Sequence, residues 1–279
     1  MKVSGFTIVR NARKYNYPAL ESIRSVLSIC DEFIVNVGKS EDDTLEMIKS
    51  LNSPKIRIIE TTWDFSKGNI ELSHQTNVAL KECKGDWAFY LQSDELIHEA
   101  DLPKLRRAMD DNLNKDIDAL RFHWLHFYGS YYRYRIDSGW YQKQDRIVRN
   151  NGTVESMGDA YGFKRADDQP LRRHHTGCFL YHYGWVQPQE LMTQRRVNAE
   201  MMGITTLKEE EKNKAYSYGD LNRFPVYYGS HPSVMKERIA AHGLSQSDWE
   251  DIKRRHVLNP LLYLRPRYKT PFRVKEKIS

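Results

Sequence analysis

The chain has 279 residues, a net charge of +6, 40% hydrophobic and 29% charged residues, a composition that fits a globular protein with a sizeable core. No apolar run approaches the roughly 18–20 residues that cross a bilayer, and MKVSGFTIVRNARK carries no apolar stretch leading to a small-residue cleavage site, so a cytoplasmic protein is expected. Three widely spaced cysteines, Cys30, Cys83 and Cys178, argue against a disulfide framework or a zinc knuckle and read as reduced, partly buried thiols. The positive balance leaves nucleic acid, an anionic membrane surface and a phosphorylated small molecule open as partners.

Lys2–Val9 is apolar and β-rich and predicts a first strand. Helical spacing of Leu20, Ile23 and Leu27 predicts a helix over Pro18–Leu27. Glu32–Val37 reads as a second strand closed by Gly38, and Asp42 or Asp43 caps a helix with Leu45, Ile48 and Leu51 on its apolar face. Lys55–Glu60 is a third strand, Ser73–Cys83 a helix and Asp86–Leu91 a fourth strand. This alternation implies a mostly parallel sheet with helices on both faces, and ligands in such sheets bind beyond the carboxyl ends of the strands. From about Ala119 the pattern changes: Leu120–Arg135 and Asp145–Arg149 predict aromatic-rich antiparallel strands. Pro188–Met202 and HPSVMKERIAAH read as helices, and RPRYKTPFRVKEKIS as a basic tail.

The strongest local signal is Gln92-Ser93-Asp94-Glu95, directly after the fourth strand. Two adjacent acids at a ligand edge repel unless one meets a cation and the other turns to a neutralising partner. Mg²⁺ and Mn²⁺ take carboxylates together with substrate phosphates. Read alone, Asp94 serves equally as the N-cap of a helix through LIHEADLPKL.

VRNARKY after the first strand, NVGKSEDDT after the second and HQTNVALKECKGDWAFYLQSDE together resemble the family-2 glycosyltransferases of GT-A fold. The matching residues are Arg10, Asn11, Gly38, Ser40, Asp43, Thr44, Gln75, Asn77, Gly85, Asp86, Trp87 and Asp94, in order over about the first hundred positions. Two positions depart: Gln92 stands where the family's first Asp-x-Asp acid is usual, and Asn36 replaces the usual acid of the second loop. An amide at either still donates and accepts hydrogen bonds.

The resemblance implies an α/β, mainly parallel sheet sandwiched by helices, with an antiparallel section and a C-terminal helical extension. Residues 1–187 would form the catalytic domain (1–100 the nucleotide-sugar half, 101–187 the acceptor half) and 188–279 a helical extension with the basic tail. It implies a metal-dependent, inverting transferase that moves a sugar from a nucleotide diphosphate, UDP ahead of GDP, to a glycan or lipid-linked acceptor in envelope polysaccharide or lipopolysaccharide assembly. Asp94 and, within Tyr181-His182-Tyr183-Gly184-Trp185, His182 would hold Mn²⁺ or Mg²⁺, with His174 and His175 as alternatives to His182. Arg10, Asn11, Asn36, Gly38, Gln75, Gln92 and Ser93 would border the donor, and Arg172 and Arg173 are further cations for a diphosphate. An inverting transfer needs a base near the acceptor hydroxyl. Asp159 fits, following RIVRNNGTV in a small-residue turn, with Glu155 second. The aromatics from Trp124 to Tyr141 are an acceptor platform or ordinary core. The basic tail reads as a solvated segment ahead of the alternative, contact with anionic lipid at the inner membrane face.

Three rivals compete. A nucleic-acid binder has the positive net charge and FHWLHFYGSYYRYR in its favour but no recognised motif, and the acids of the first half repel phosphate, so no nucleic acid is expected. A degenerate transferase serving as a sugar-nucleotide-binding scaffold would explain Gln92 and Asn36. A nucleotidyltransferase lacks its glycine-rich phosphate loop here.

Overall fold

The computed structural model describes residues 1–137, 139–212 and 214–242. In chain order these form β1 (Val3–Val9), α1 (Ala19–Val26), β2 (Glu32–Gly38), α2 (Thr44–Lys49), β3 (Ile56–Thr61), α3 (Ile70–Lys81), β4 (Trp87–Tyr90), β5 (Glu95–Ile97) and α4 (Leu102–Asn112). There follow β6 (Ala119–Tyr128), β7 (Tyr134–Arg135), β8 (Lys143–Arg149), β9 (Val154–Met157), β10 (Gly162–Arg165), β11 (Arg173–Trp185), α5 (Gln189–Met201), the short α6 (Glu209–Lys212) and α7 (Lys236–Ala241).

The main sheet runs β3-β2-β1-β4-β8-β6-β11-β5, with β7 beside β6. Its first four strands are parallel, β8 opposes both β4 and β6, and β11 lies parallel to β6. The expected helix-flanked parallel sheet with an antiparallel section is therefore present. Side chains alternate across its pleat. Phe33, Val35, Val37, Trp87, Phe89 and Leu91 pack with Ile23 and Val26 of α1, Ile48 of α2 and Leu105 and Met109 of α4 on one face. Phe6, Ile8, Ile34, Ala88 and Tyr90 pack with Ala79 and Leu80 of α3 on the other. A third cluster, with Phe127, Tyr181, Tyr183 and Met235, is the core of the second half.

Several local expectations change. The helix expected from Ser73 begins at Ile70. RIVRNNGTV breaks at Asn150–Thr153: β8 stays in the main sheet and β9 leaves it to pair with β10. Asp94 caps no helix, because Glu95–Ile97 is a strand against β11 and the helix starts only at Leu102. HPSVMKERIAAH holds a single 3-10 turn, Ser233–Met235, before α7. The basic tail lies outside the described residues. The chain after β11 folds back: Arg238 pairs with Glu21 of α1 at 2.8 Å, and His231 Nδ1 lies 2.8 Å from the Tyr183 hydroxyl.

Candidate active site

β1, β4, β6 and β11 all run one way, so their carboxyl ends share an edge. A cavity of about 590 Å³ opens there, lined by Arg10 after β1, Gln92–Asp94 after β4, His182 and Gly184 of β11, Asp159 and Ala160 between β9 and β10, and Arg195 and Asn198 of α5. Tyr15, Tyr17, Trp63, Trp185 and Tyr216 add aromatic wall.

Strand register brings the central pair together. β5 pairs Glu95 with His182, and the Tyr183 amide donates to the Asp94 carbonyl at 2.9 Å. Asp94 Oδ2 then lies 3.6 Å from His182 Nε2 and 3.6 Å from Arg195 Nη2. Burial pushes the Asp94 carboxyl up, but His182 in its protonated form and Arg195 together outweigh it and hold the group below its ordinary value. Arg195 donates to the Gly184 carbonyl at 2.6 Å and lies over the Tyr17 ring at 4.3 Å. Gly184 leaves the room the pair occupies: a Cβ there would overlap Asp94 Oδ2 and stand 2.8 Å from His182 Nε2, so one of the two side chains would have to move. Behind His182, its Nδ1 is 3.0 Å from His126 Nδ1, and His126 Nε2 is 2.8 Å from the Tyr141 carbonyl. Burial, reinforced by His182, pushes His126 down to about 3.

The second acid turns away, as repulsion demands. Glu95 forms a two-point pair with Arg146, at 2.7 and 2.8 Å, and both side chains are fully buried. Asp94, not Glu95, therefore faces the cavity beside His182. Their 3.6 Å gap exceeds a hydrogen bond, and neighbouring ligands of one octahedral cation stand about 3 Å apart. Among the described residues no three His, Cys, Asp or Glu side chains gather to hold a cation unaided. Two protein ligands completed by phosphate oxygens and water suit Mg²⁺ or Mn²⁺, so the residues fit such an ion.

Asp159 reaches the cavity from a strained turn. It sits between Gly158 (φ 60°) and Ala160 (φ 62°), a left-handed conformation that costs about 1–2 kcal/mol in a non-glycine residue and needs support. Three anchors supply it. Asn77 of α3 grips Ser156 by both its amide and carbonyl, at 2.7 and 3.2 Å. Arg146 donates to the Tyr161 carbonyl at 2.9 Å, and Gln92 donates to the Ala160 carbonyl at 3.2 Å. Glu155 is turned to Lys164 at 3.3 Å and does not line the cavity.

The expected donor-binding residues divide. Arg10, Gln92 and Ser93 line the cavity, with Ser93 Oγ donating to the Ile8 carbonyl at 3.1 Å. Asn11, Asn36, Gly38 and Gln75 do not. Asn11 is buried with φ 52° and ties two loops, its Oδ1 accepting from the Glu41 amide at 2.8 Å. Asn36 and Gln75 belong to a buried chain of bonds in one direction. Trp63 Nε1 donates to Thr61 Oγ1, Thr61 to Asn36 Oδ1, Asn36 Nδ2 to Gln75 Oε1 and Gln75 Nε2 to Glu71 Oε1, at 3.0, 2.6, 3.0 and 2.6 Å. That chain fixes Trp63 in the cavity wall. Gly38 leaves room for the same indole, since a Cβ there would meet it at 2.5 Å. Arg172 pairs with Asp118 and Arg173 with Asp145, His174 and His175 are exposed, and none of the four lines the cavity. The sequence marks neither Arg195 nor His126 nor Trp63; each owes its place to a tertiary contact that no local pattern announces.

The family model described as Glycosyl transferase family 2 matches residues 6–186, more than half of the chain. The chain belongs to that family. No curated protein matches it. Solved structures similar to it include S. aureus TarS, at 17% identity and TM-score 0.43 over 76% of this chain and 41% of that one, so the chain spans well under half of the longer protein. S. aureus TarS 1-349 in complex with UDP-GlcNAc is 16% identical, with TM-score 0.41 over 76% and 69%. Glucosyl-3-phosphoglycerate synthase from Mycobacterium tuberculosis, in complex with Mn²⁺, UDP and phosphoglyceric acid, is 16% identical, with TM-score 0.33 over 44% and 43%.

Proposed function

We propose that this family-2 glycosyl transferase moves a sugar, with inversion, from a nucleotide diphosphate to a hydroxyl of a glycan or lipid-linked acceptor, with UDP ahead of GDP as the nucleotide. The observation that carries the reading is the meeting of Asp94 and His182, from β-strand ends far apart in sequence, in a cavity that also receives Asp159. Asp94 and His182 would hold a divalent cation, which when bound supplies positive charge to the leaving diphosphate. Arg195, beside Asp94, adds a second positive charge on the same wall. Asp159 accepts the proton of the acceptor hydroxyl as its oxygen bonds the anomeric carbon and the diphosphate leaves with the electron pair of the broken C–O bond. Trp63 and Arg10 border the nucleoside, with Asn36, Gln75 and Gly38 acting on it through the Trp63 indole. Residues 1–187 are the catalytic unit and 188–279 an extension whose first helix, α5, closes one side of the cavity. No helix among the described residues is long and apolar enough to cross a membrane. A peripheral site at the inner face would give access to lipid-linked acceptors.

The test is calorimetric titration of UDP and of GDP, each with Mn²⁺ and with EDTA, on the native chain and on Asp94→Ala. Binding of one nucleotide that needs the metal and is lost in the variant is the expected result. Tight binding indifferent to both EDTA and the substitution would remove Asp94 from this role.

A further inference from the structure

We infer that His126 is a positioning residue that sets the tautomer of His182, so that the His182 nitrogen facing Asp94 carries a lone pair. The inference rests on the metal-site reading above for its purpose, though not for its geometry.

The assignment follows from what each atom can do. The Tyr141 carbonyl only accepts, so His126 Nε2, 2.8 Å away, must be the protonated nitrogen. In the neutral ring His126 Nδ1 is then a lone pair, and it lies 3.0 Å from His182 Nδ1. Two lone pairs at that separation repel, so His182 Nδ1 carries a hydrogen and donates it. The remaining nitrogen of a neutral His182, Nε2, is left as an acceptor 3.6 Å from Asp94 Oδ2. A lone pair facing a carboxylate across that gap is repulsive unless a cation joins them, and ligation through Nε2 with Nδ1 bound behind is a common way for proteins to fix a ligating imidazole. The unusual feature is the outer partner, a second histidine whose own tautomer is imposed by a backbone carbonyl. Mutation cannot remove that carbonyl, so the relay is anchored in the main chain. His126 is almost fully buried, and its ring packs at 4.4 Å from Trp124 and 5.0 Å from Trp140, centroid to centroid, which blocks rotation.

The experiment uses the full chain and two variants. His126→Phe keeps the ring packing and removes the acceptor; His126→Gln keeps an amide that can accept from His182 and donate to Tyr141. Ring-nitrogen NMR of His182 is recorded on metal-free protein about two units above histidine's ordinary pKa of about 6.5. Mn²⁺ affinity in the presence of UDP is read by electron paramagnetic resonance, and circular dichroism confirms folding. In the native chain the NMR spectrum should show hydrogen on Nδ1 only. His126→Phe should lose that pure tautomer and bind Mn²⁺ about 10- to 100-fold more weakly, and His126→Gln should restore both within about threefold. An Nε2–H tautomer in the native chain, or a His126→Phe variant with unchanged ring signals, overturns the relay. A pure Nδ1–H tautomer lost in His126→Phe, in a protein that binds no Mn²⁺ with UDP, upholds the relay and refutes the metal reading instead.

Discussion

At the scale of single residues, the site is held to shape by atoms that are absent as much as by those present. Gly184 has no special backbone conformation, but its missing Cβ is the space that Asp94 and His182 occupy. Gly184→Ala should leave the fold intact and, on the proposed metal site, weaken nucleotide binding in the presence of Mn²⁺ by at least about tenfold, since the added methyl must displace Asp94 or His182; the same calorimetric titration measures it. Asp159→Asn separates chemistry from binding. It should retain nucleotide affinity while turnover falls by about 10²–10⁴-fold, and an unchanged rate would assign the base elsewhere. Asn36 shows why an amide can stand where related sequences carry an acid. Its nitrogen donates to Gln75 while its oxygen accepts from Thr61, and a carboxylate could do only the second.

At the scale of elements, the buried Glu95–Arg146 pair links β5 to β8 and reaches the Asp159 turn through Tyr161. A buried charge left alone is expensive, so Arg146→Met should destabilise the fold by about 3–5 kcal/mol, measured by urea unfolding. The double variant Glu95→Gln with Arg146→Met should recover much of that loss, because no charge is then stranded. The antiparallel β9–β10 pair carries the Asp159 turn to the cavity. It stands outside the main sheet, and its turn is oriented by Asn77, Gln92 and Arg146 rather than by sheet neighbours. Apolar periodicity marks neither the break at Asn150 nor the departure of β9, because both depend on partners distant in sequence.

At the scale of the whole molecule, the two faces of one sheet enclose the cysteines. Cys30, Cys83 and Cys178 are all buried, and burial pushes the thiols of Cys30 and Cys178 up to about 12 and that of Cys83 up as well. None should react with a thiol reagent such as DTNB in the native state, and all three should label together with global unfolding. Labelling of one thiol well before the unfolding transition would reveal a local opening.

The sequence by itself determined the parallel half of the sheet, since strand and helix periods there are local and unambiguous, and it marked Asp94 because an acid after a strand end is a local signal. His182 is pointed to only through the resemblance to the family, and Asp159 by its small-residue turn after a strand. Only the tertiary structure decided that Asp94 and His182 stand 3.6 Å apart, that Glu95 is spent on Arg146, that Glu155 faces Lys164, and that Asn36 and Gln75 support Trp63 instead of lining the cavity. The physical reason is the same in each case. A side chain's chemistry is written in its residue type, but its partner is set by strand register and packing between segments that the chain's order keeps far apart.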